Sequence, residues 1–182
     1  ASSSILYLGV WLPGISSLNG TGLTGAVVQM VAHGLTAATL FLIVGLLYQR
    51  THSRDLADYG SLLGRAPRFA FFAAFGLLAA IGLPGSAGFI AELHTLVAGY
   101  LRWKGWVILL GLAMLIGAAY SLRVIGRLCL KGEGPDVPDM TRTETVAAGL
   151  LAACILFLGI WPAPLLDLVA SSVGLVAGRF GE

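Results

Sequence analysis

What this chain has least of is charge. Only 11% of its 182 residues are Asp, Glu, Lys or Arg, against roughly a quarter in an ordinary soluble domain. Hydrophobic residues make up 57% and the mean hydropathy is +0.88. A soluble fold of this length has too little interior to hide so much apolar surface, which leaves lipid as the solvent. The net charge of +2 is small, and the basic residues fall at the ends of apolar runs, so nothing argues for a nucleic-acid face. Cysteine is scarce as well. Cys129 and Cys154 have no metal-ligand spacing and lie in or beside apolar runs, so they read as small apolar fillers. No Ser/His/Asp constellation, phosphate loop or Cys-x-x-Cys occurs. The seven prolines and 25 glycines show no G-X-Y period, which excludes collagen and fits close helix packing in lipid. There is no initiator Met, and Ser3 to Ser17 lacks the charged start and small-residue cleavage site of a signal peptide. The chain opens inside an apolar run, Ile5 to Leu12, and is expected to be part of a longer polypeptide.

What is present is a series of apolar runs. A bilayer core takes about 20 mostly apolar residues per helix, and five segments reach or approach that. They lie at about 3–17, 25–48, 69–101, 105–129 and 145–161, followed by a short apolar or interfacial helix at 165–178. The fold class is therefore an all-α polytopic membrane protein in a single domain, 1–182. Lys and Arg orient it. Arg50, Arg54, Arg65 and Arg68 follow the second segment, and Arg127, Lys131 and Arg142 follow the fourth, against Arg102 and Lys104 on the alternate side. Seven against two predicts that the Arg50–Arg68 and Arg127–Arg142 loops are cytoplasmic. Tyr100, Trp103 and Trp106 then belong to the aromatic belt of the opposite face. Arg123 and Arg127 read as snorkelling to the surface. His52, Glu133, Asp136, Asp139 and Glu144 read as solvated.

The segment at 69–101 is too long for one straight crossing and carries a breaker, Gly82-Leu83-Pro84-Gly85-Ser86-Ala87-Gly88. Pro84 lacks an N–H and clashes with the preceding turn, while Gly82, Gly85 and Gly88 tolerate non-helical dihedrals, so unwinding is expected around Leu83 to Ala87. Backbone freed in this way must face protein or water, and discontinuous helices build the ion sites of many transporters. Glu92 follows the break. A carboxyl at that depth is expensive and marks an ion or proton pathway by default. On the preceding helix Gln29, His33 and Thr36, at i, i+4 and i+7, share one face. Histidine has the ordinary pKa nearest neutrality and hands on a proton at little cost. The bland alternatives are a structural ion pair or hydrogen bond to another helix for Glu92 and a simple interhelical hydrogen bond for His33. His94, two residues from Glu92, points to another side of its helix.

Three blocks carry a resemblance: Gly25-Ala-Val-Val-Gln29-Met-Val-Ala-His33-Gly-Leu, Leu46-Leu-Tyr-Gln-Arg50-Thr-His-Ser-Arg54-Asp55, and Gly82-Leu-Pro-Gly-Ser-Ala-Gly-Phe-Ile-Ala-Glu92. Together they resemble the antiporter-like M subunits of respiratory complex I, relatives of mitochondrial NADH dehydrogenase subunit 4, over nearly the whole chain. The resemblance implies fourteen helices in two inverted repeats, each with a broken helix, of which this chain would be about the last five. It implies that Glu92 and His33 belong to a central polar proton axis. The L- and N-type paralogues and the sodium/proton antiporter relatives resemble one another in carrying Lys where this chain has Glu92, which favours the M type. Tyr120-Ser121 resembles the next helix, where polar groups flank the path. Tyr7 stands where the family often has His, and a phenol with a pKa near 10 exchanges protons less readily than imidazole. The family's Glu and two Lys of earlier helices have no counterpart in this chain.

The expected function is proton translocation as a membrane subunit of NADH:quinone oxidoreductase. The partners would be the other membrane subunits, the L- and N-type included, together with lipid and protons but no nucleic acid. The resemblance places FMN, iron–sulfur clusters, NADH and quinone in other subunits, with no cofactor, metal or redox chemistry in this chain. It locates the chain in a bacterial inner membrane or a mitochondrial-type energy-coupling membrane. A monovalent-cation/proton antiporter, a membrane-bound hydrogenase or a purely structural membrane module are the alternatives.

Overall fold

The computed structural model describes residues 20–53, 55, 59–130 and 136–180. The expected first segment with Tyr7, and also Arg54, Lys131 and Glu133, lie outside these. The described residues form α1 (Gly20–Thr51), the single turn α2 (Leu62–Arg65), α3 (Pro67–Ala80), α4 (Ala87–Trp103), α5 (Val107–Ile125), α6 (Arg142–Ile160) and α7 (Ala163–Phe180). A 3-10 turn, Lys104–Trp106, joins α4 to α5, and α5 runs on into a wide π turn, Gly126–Leu130.

Helix α1 exceeds the expected 25–48 at both ends, with a tertiary contact near its start and local side-chain bonds at its end. Near its start a Cβ on Gly25 would stand 2.8 Å from Thr95 Oγ1, so the glycine lets α1 lie directly against α4. At its end Thr51 Oγ1 donates to Leu47 O and Arg50 Nη1 to Leu46 O, carrying the helix on to His52, where the backbone turns left-handed at φ 53°. Helix α3 opens on Pro67, whose missing N–H costs nothing at the first helical position. Helix α6 opens on a capping box: Thr141 Oγ1 accepts from Glu144 N, and the Glu144 carboxylate accepts from Thr141 N. Helix α7 runs for 18 residues, against the short segment expected at 165–178.

Among the described residues, Thr21–Thr51, Val107–Leu130 and Arg142–Ile160 are each long and apolar enough to cross a membrane alone. Helices α3 and α4, of 14 and 17 residues, rise about 21 and 25 Å, and neither spans a core of about 30 Å. Helix α1 lies along α4 and also meets α3, α6 and α7, so it is the central element. Helix α5 is the outermost, with Ile108, Leu115 and Ile116 about 70% exposed, as suits a face toward lipid or a partner.

The apolar core sits at the end of the bundle where α1 finishes and α3 and α6 begin. It joins Ile43, Leu47, Leu62, Phe69, Phe72, Leu128, Val137, Met140 and Ala148. Two acidic residues read as solvated are paired here instead. Glu144 binds Arg50 with both oxygens, at 2.7 and 3.0 Å, and the guanidinium lies 5.0 Å from the centre of the Phe69 ring. Asp139 accepts from the amides of Arg68 and Phe69, and Arg68 Nη1 donates to Met140 O. Burial of the surrounding apolar core brings these groups within reach, which composition cannot foretell.

Candidate functional site

The break between α3 and α4 is a sequence of backbone devices. Gly82, at φ 71°, ends α3 in the left-handed conformation. Its N–H donates to Ala79 O, and the next N–H, of Leu83, reaches back to Leu78 O. This pair is the Schellman arrangement, with the glycine where it is expected and proline shortly after. Leu83 to Ser86 then forms a tight turn closed by Ser86 N donating to Leu83 O at 2.8 Å. Proline at its second position and Gly85 at φ 94° at its third follow the pattern of a type II turn. Ser86 is extended, and its Oγ accepts from Phe89 N, so the first turn of α4 is capped. The helix is thus interrupted over Ile81 to Ser86, starting two residues and ending one residue earlier than the Leu83 to Ala87 expected. Ala87 is already helical because Ser86 caps it. Gly88 is helical too, and its role is close approach: a Cβ there would lie 3.2 Å from Ala79 O. The N–H groups of Ile81, Gly82, Leu83, Ser86 and Phe89, which a bilayer cannot satisfy, find acceptors within the break.

Glu92 stands in the second turn of α4 and folds back onto this break. Its carboxyl occupies the place where a Cβ on Gly82 would be, with Oε2 the nearest atom. The side chain is 7% exposed. Across from it, Gln29, Ala32, His33 and Thr36 of α1 join Ala79, Ala80, Gly88 and Glu92 around one crevice. Gln29 and Thr36 are buried and His33 is half-buried. Among the described residues, Gln29 Oε1 and Glu92 Oε2 are buried acceptors with no hydrogen-bond donor. Unsatisfied acceptors in a low-dielectric interior cost about 1–3 kcal/mol each. A proton carried on the Glu92 carboxyl, or a donor entering the crevice, relieves that cost.

The structure therefore brings Gln29, His33, Thr36 and Glu92 together over the Gly82-to-Gly88 break. It does not bring Tyr120 there: that side chain is on the outer face of α5 and 56% exposed. Ser121 is buried but does not line the crevice. Tyr7 lies outside the described residues. His94 turns away, its Nδ1 bonded to Ile90 O at 2.8 Å on its own helix. Ala32, Ala79 and Ala80, which close the crevice, had no signal in the sequence beyond small size. No group of three His, Cys, Asp or Glu residues that could hold a metal occurs among the described residues.

The family described as NADH:quinone oxidoreductase/Mrp antiporter, TM, matches residues 1–117. The chain is similar to NADH-quinone oxidoreductase subunit M of Rhodobacter capsulatus, 37% identical over 178 residues covering 95% of this chain and 35% of that protein. Its fold matches a chain of respiratory complex I from Thermus thermophilus with a TM-score of 0.85 at 30% identity, over 94% of this chain and 37% of that one. A chain of the Mrp complex of a Dietzia species shares the fold, with a TM-score of 0.74 at 18% identity, over 92% of this chain and 39% of that one. The chain spans a little over a third of the length of the relatives it matches.

Proposed function

This chain belongs to the NADH:quinone oxidoreductase/Mrp antiporter transmembrane family, and from that premise we propose that it is the C-terminal portion of a proton-translocating membrane subunit of NADH:quinone oxidoreductase. The observation that carries this reading is the Glu92 carboxyl seated on the helix break and sharing a crevice with His33, Gln29 and Thr36. Glu92 would take up and release a proton at its carboxyl oxygen. His33 would be the neighbouring carrier, and water entering the break would complete the path. Oxidation of NADH and reduction of quinone would take place on FMN and iron–sulfur clusters of other subunits, and neighbouring charges would bias the protonation of Glu92 and His33. A unit charge 4 Å away is worth about 4 kcal/mol at an effective dielectric near 20. That is enough to decide whether such a group holds its proton. The L- and N-type subunits would be its neighbours in an energy-coupling membrane. The ends of α1, α3 and α6 joined by Arg50, Glu144, Arg68 and Asp139 would face the cytoplasm, as their excess of Lys and Arg suggests.

A structural ion pair at Glu92 would require a fixed cation beside it. The ion pairs found among the described residues are Arg50–Glu144 and Arg68–Asp139, both at the far end of α1. The Mrp likeness supports a second reading, a monovalent-cation/proton antiporter, which would show dependence of proton movement on sodium or potassium. Glu92→Gln in the reconstituted intact complex tests the first. It keeps size and removes the titratable group, and loss of a positioned proton carrier is worth about 100-fold or more in rate. The expected result is normal assembly with proton pumping and NADH:quinone turnover both collapsed. Wild-type pumping and turnover in an assembled complex would sink the proposal.

A further inference from the structure

Helix α6 passes beneath the helix break, and one of its residues touches the turn itself. Gly159, next to last in α6, is buried, and a Cβ there would fall on the Gly85 carbonyl oxygen and the Ser86 carbonyl carbon, far inside van der Waals contact. Both are backbone atoms of the tight turn, so no flexible side chain can yield. The Gly85–Ser86 peptide leads directly to the Ser86 cap, and that cap sets where α4 starts. Less than two turns on, α4 presents Glu92, whose carboxyl fills the place where a Cβ on Gly82 would stand. A shift of the turn is therefore passed to the carboxyl through a short rigid path: α6, the Gly85–Ser86 peptide, the first turn of α4 and Glu92. Elsewhere on α6 Gly149 has open space around its Cβ position, so glycine is not needed along the helix in general.

We propose that Gly159 is a positioning residue for Glu92, holding the turn at the depth that seats the carboxyl over Gly82. The inference rests on the proton-path reading for its functional consequence, while the positioning itself can be read without it. A methyl group at Gly159 forces the turn to give by about 1 Å to reach ordinary contact. Misplacement of a reacting group by about 1 Å can cost about 100-fold.

The test compares Gly159→Ala with Gly149→Ala in the intact complex in membranes. The first readout is the rate at which dicyclohexylcarbodiimide, an apolar reagent for protonated carboxyls, modifies Glu92, followed by mass spectrometry with Glu92→Gln as the blank. The second is the pH profile of NADH:quinone turnover. Gly159→Ala is expected to change the labelling rate about tenfold or more and to move the pH profile, with Gly149→Ala at wild-type values in both. Labelling equal to wild type overturns the inference, as does altered labelling with an unmoved pH profile in an assembled complex in which Glu92→Gln has abolished pumping. If Gly159→Ala blocks assembly, labelling of the membrane-inserted full-length subunit decides alone, with the same two outcomes. Altered labelling in Gly159→Ala alongside full pumping in Glu92→Gln keeps the positioning role and removes the proton-path reading, so the two failures are distinct.

Discussion

At Gly82 two demands meet in a residue with no side chain. The backbone is at φ 71°, where a residue with a Cβ pays about 1–2 kcal/mol, and the space beside it is filled by the Glu92 carboxyl. Gly85 shares the first demand, at φ 94°, but has nothing within 4 Å of its Cβ position. The pair separates strain from contact. Gly82→Ala is expected to lower the thermal midpoint of the complex more than Gly85→Ala and to reduce turnover more per degree of midpoint lost, measured on the same preparations. Equal losses of stability and of turnover in the two variants would show that the carboxyl does not need the space at Gly82.

At the scale of the element, the weakest link of the site is the start of α4. The cap is one hydrogen bond, Ser86 Oγ accepting from Phe89 N at 3.4 Å, in a residue 1% exposed. Replacing such a cap by alanine costs about 1 kcal/mol. Ser86→Ala is therefore expected to speed amide exchange at Ala87 to Phe89 by about fivefold, with Ser86→Asn, which retains an acceptor, near the wild-type rate. Hydrogen exchange read by mass spectrometry on peptides covering 83–93 makes the comparison. Identical exchange in Ser86→Ala and wild type would mean that packing against α1 and α6, not the cap, starts this helix.

For the whole molecule, the crevice lies against the middle of α1 and the apolar core at its C-terminal end. The core end is tied by Arg50, which bonds Glu144 on α6 and Leu46 O on its own helix while covering Phe69. Its side chain is 15% exposed and that of Glu144 22%, so the pair is partly shielded from water and salt. Exposed ion pairs are worth about 0.2–1 kcal/mol, and the contact of Arg50 Nη2 with both Glu144 oxygens at an apolar edge places this one at the upper end. A double-mutant cycle of Arg50→Gln and Glu144→Gln, read by thermal unfolding of the solubilised complex, is expected to give a coupling of about 1 kcal/mol. A coupling indistinguishable from zero would leave the apolar core as the tie between α1 and α6.

Much of this organisation was legible in the residues alone, because lipid leaves a chain few choices. Low charge and long apolar runs demand helices, since backbone groups in a bilayer must bond within their own segment. The Gly-Leu-Pro-Gly string demands an interruption, because proline cannot continue a helix and glycine alone accepts the left-handed conformation without strain. A carboxyl just past such a string has few reasons to be there other than function, and the spacing of Gln29, His33 and Thr36 puts them on one face through helical period alone. Tertiary structure decided what period and composition do not encode. It chose which face of α1 meets which face of α4 and turned Tyr120 outward. It also set Glu144 and Asp139 against arginines. Each of these depends on contacts between residues far apart in the chain, as Gly159 beneath Gly85 shows most directly. The sequence by itself determined that there would be a break with a carboxyl beside it. Only close packing of three helices decided where that carboxyl sits.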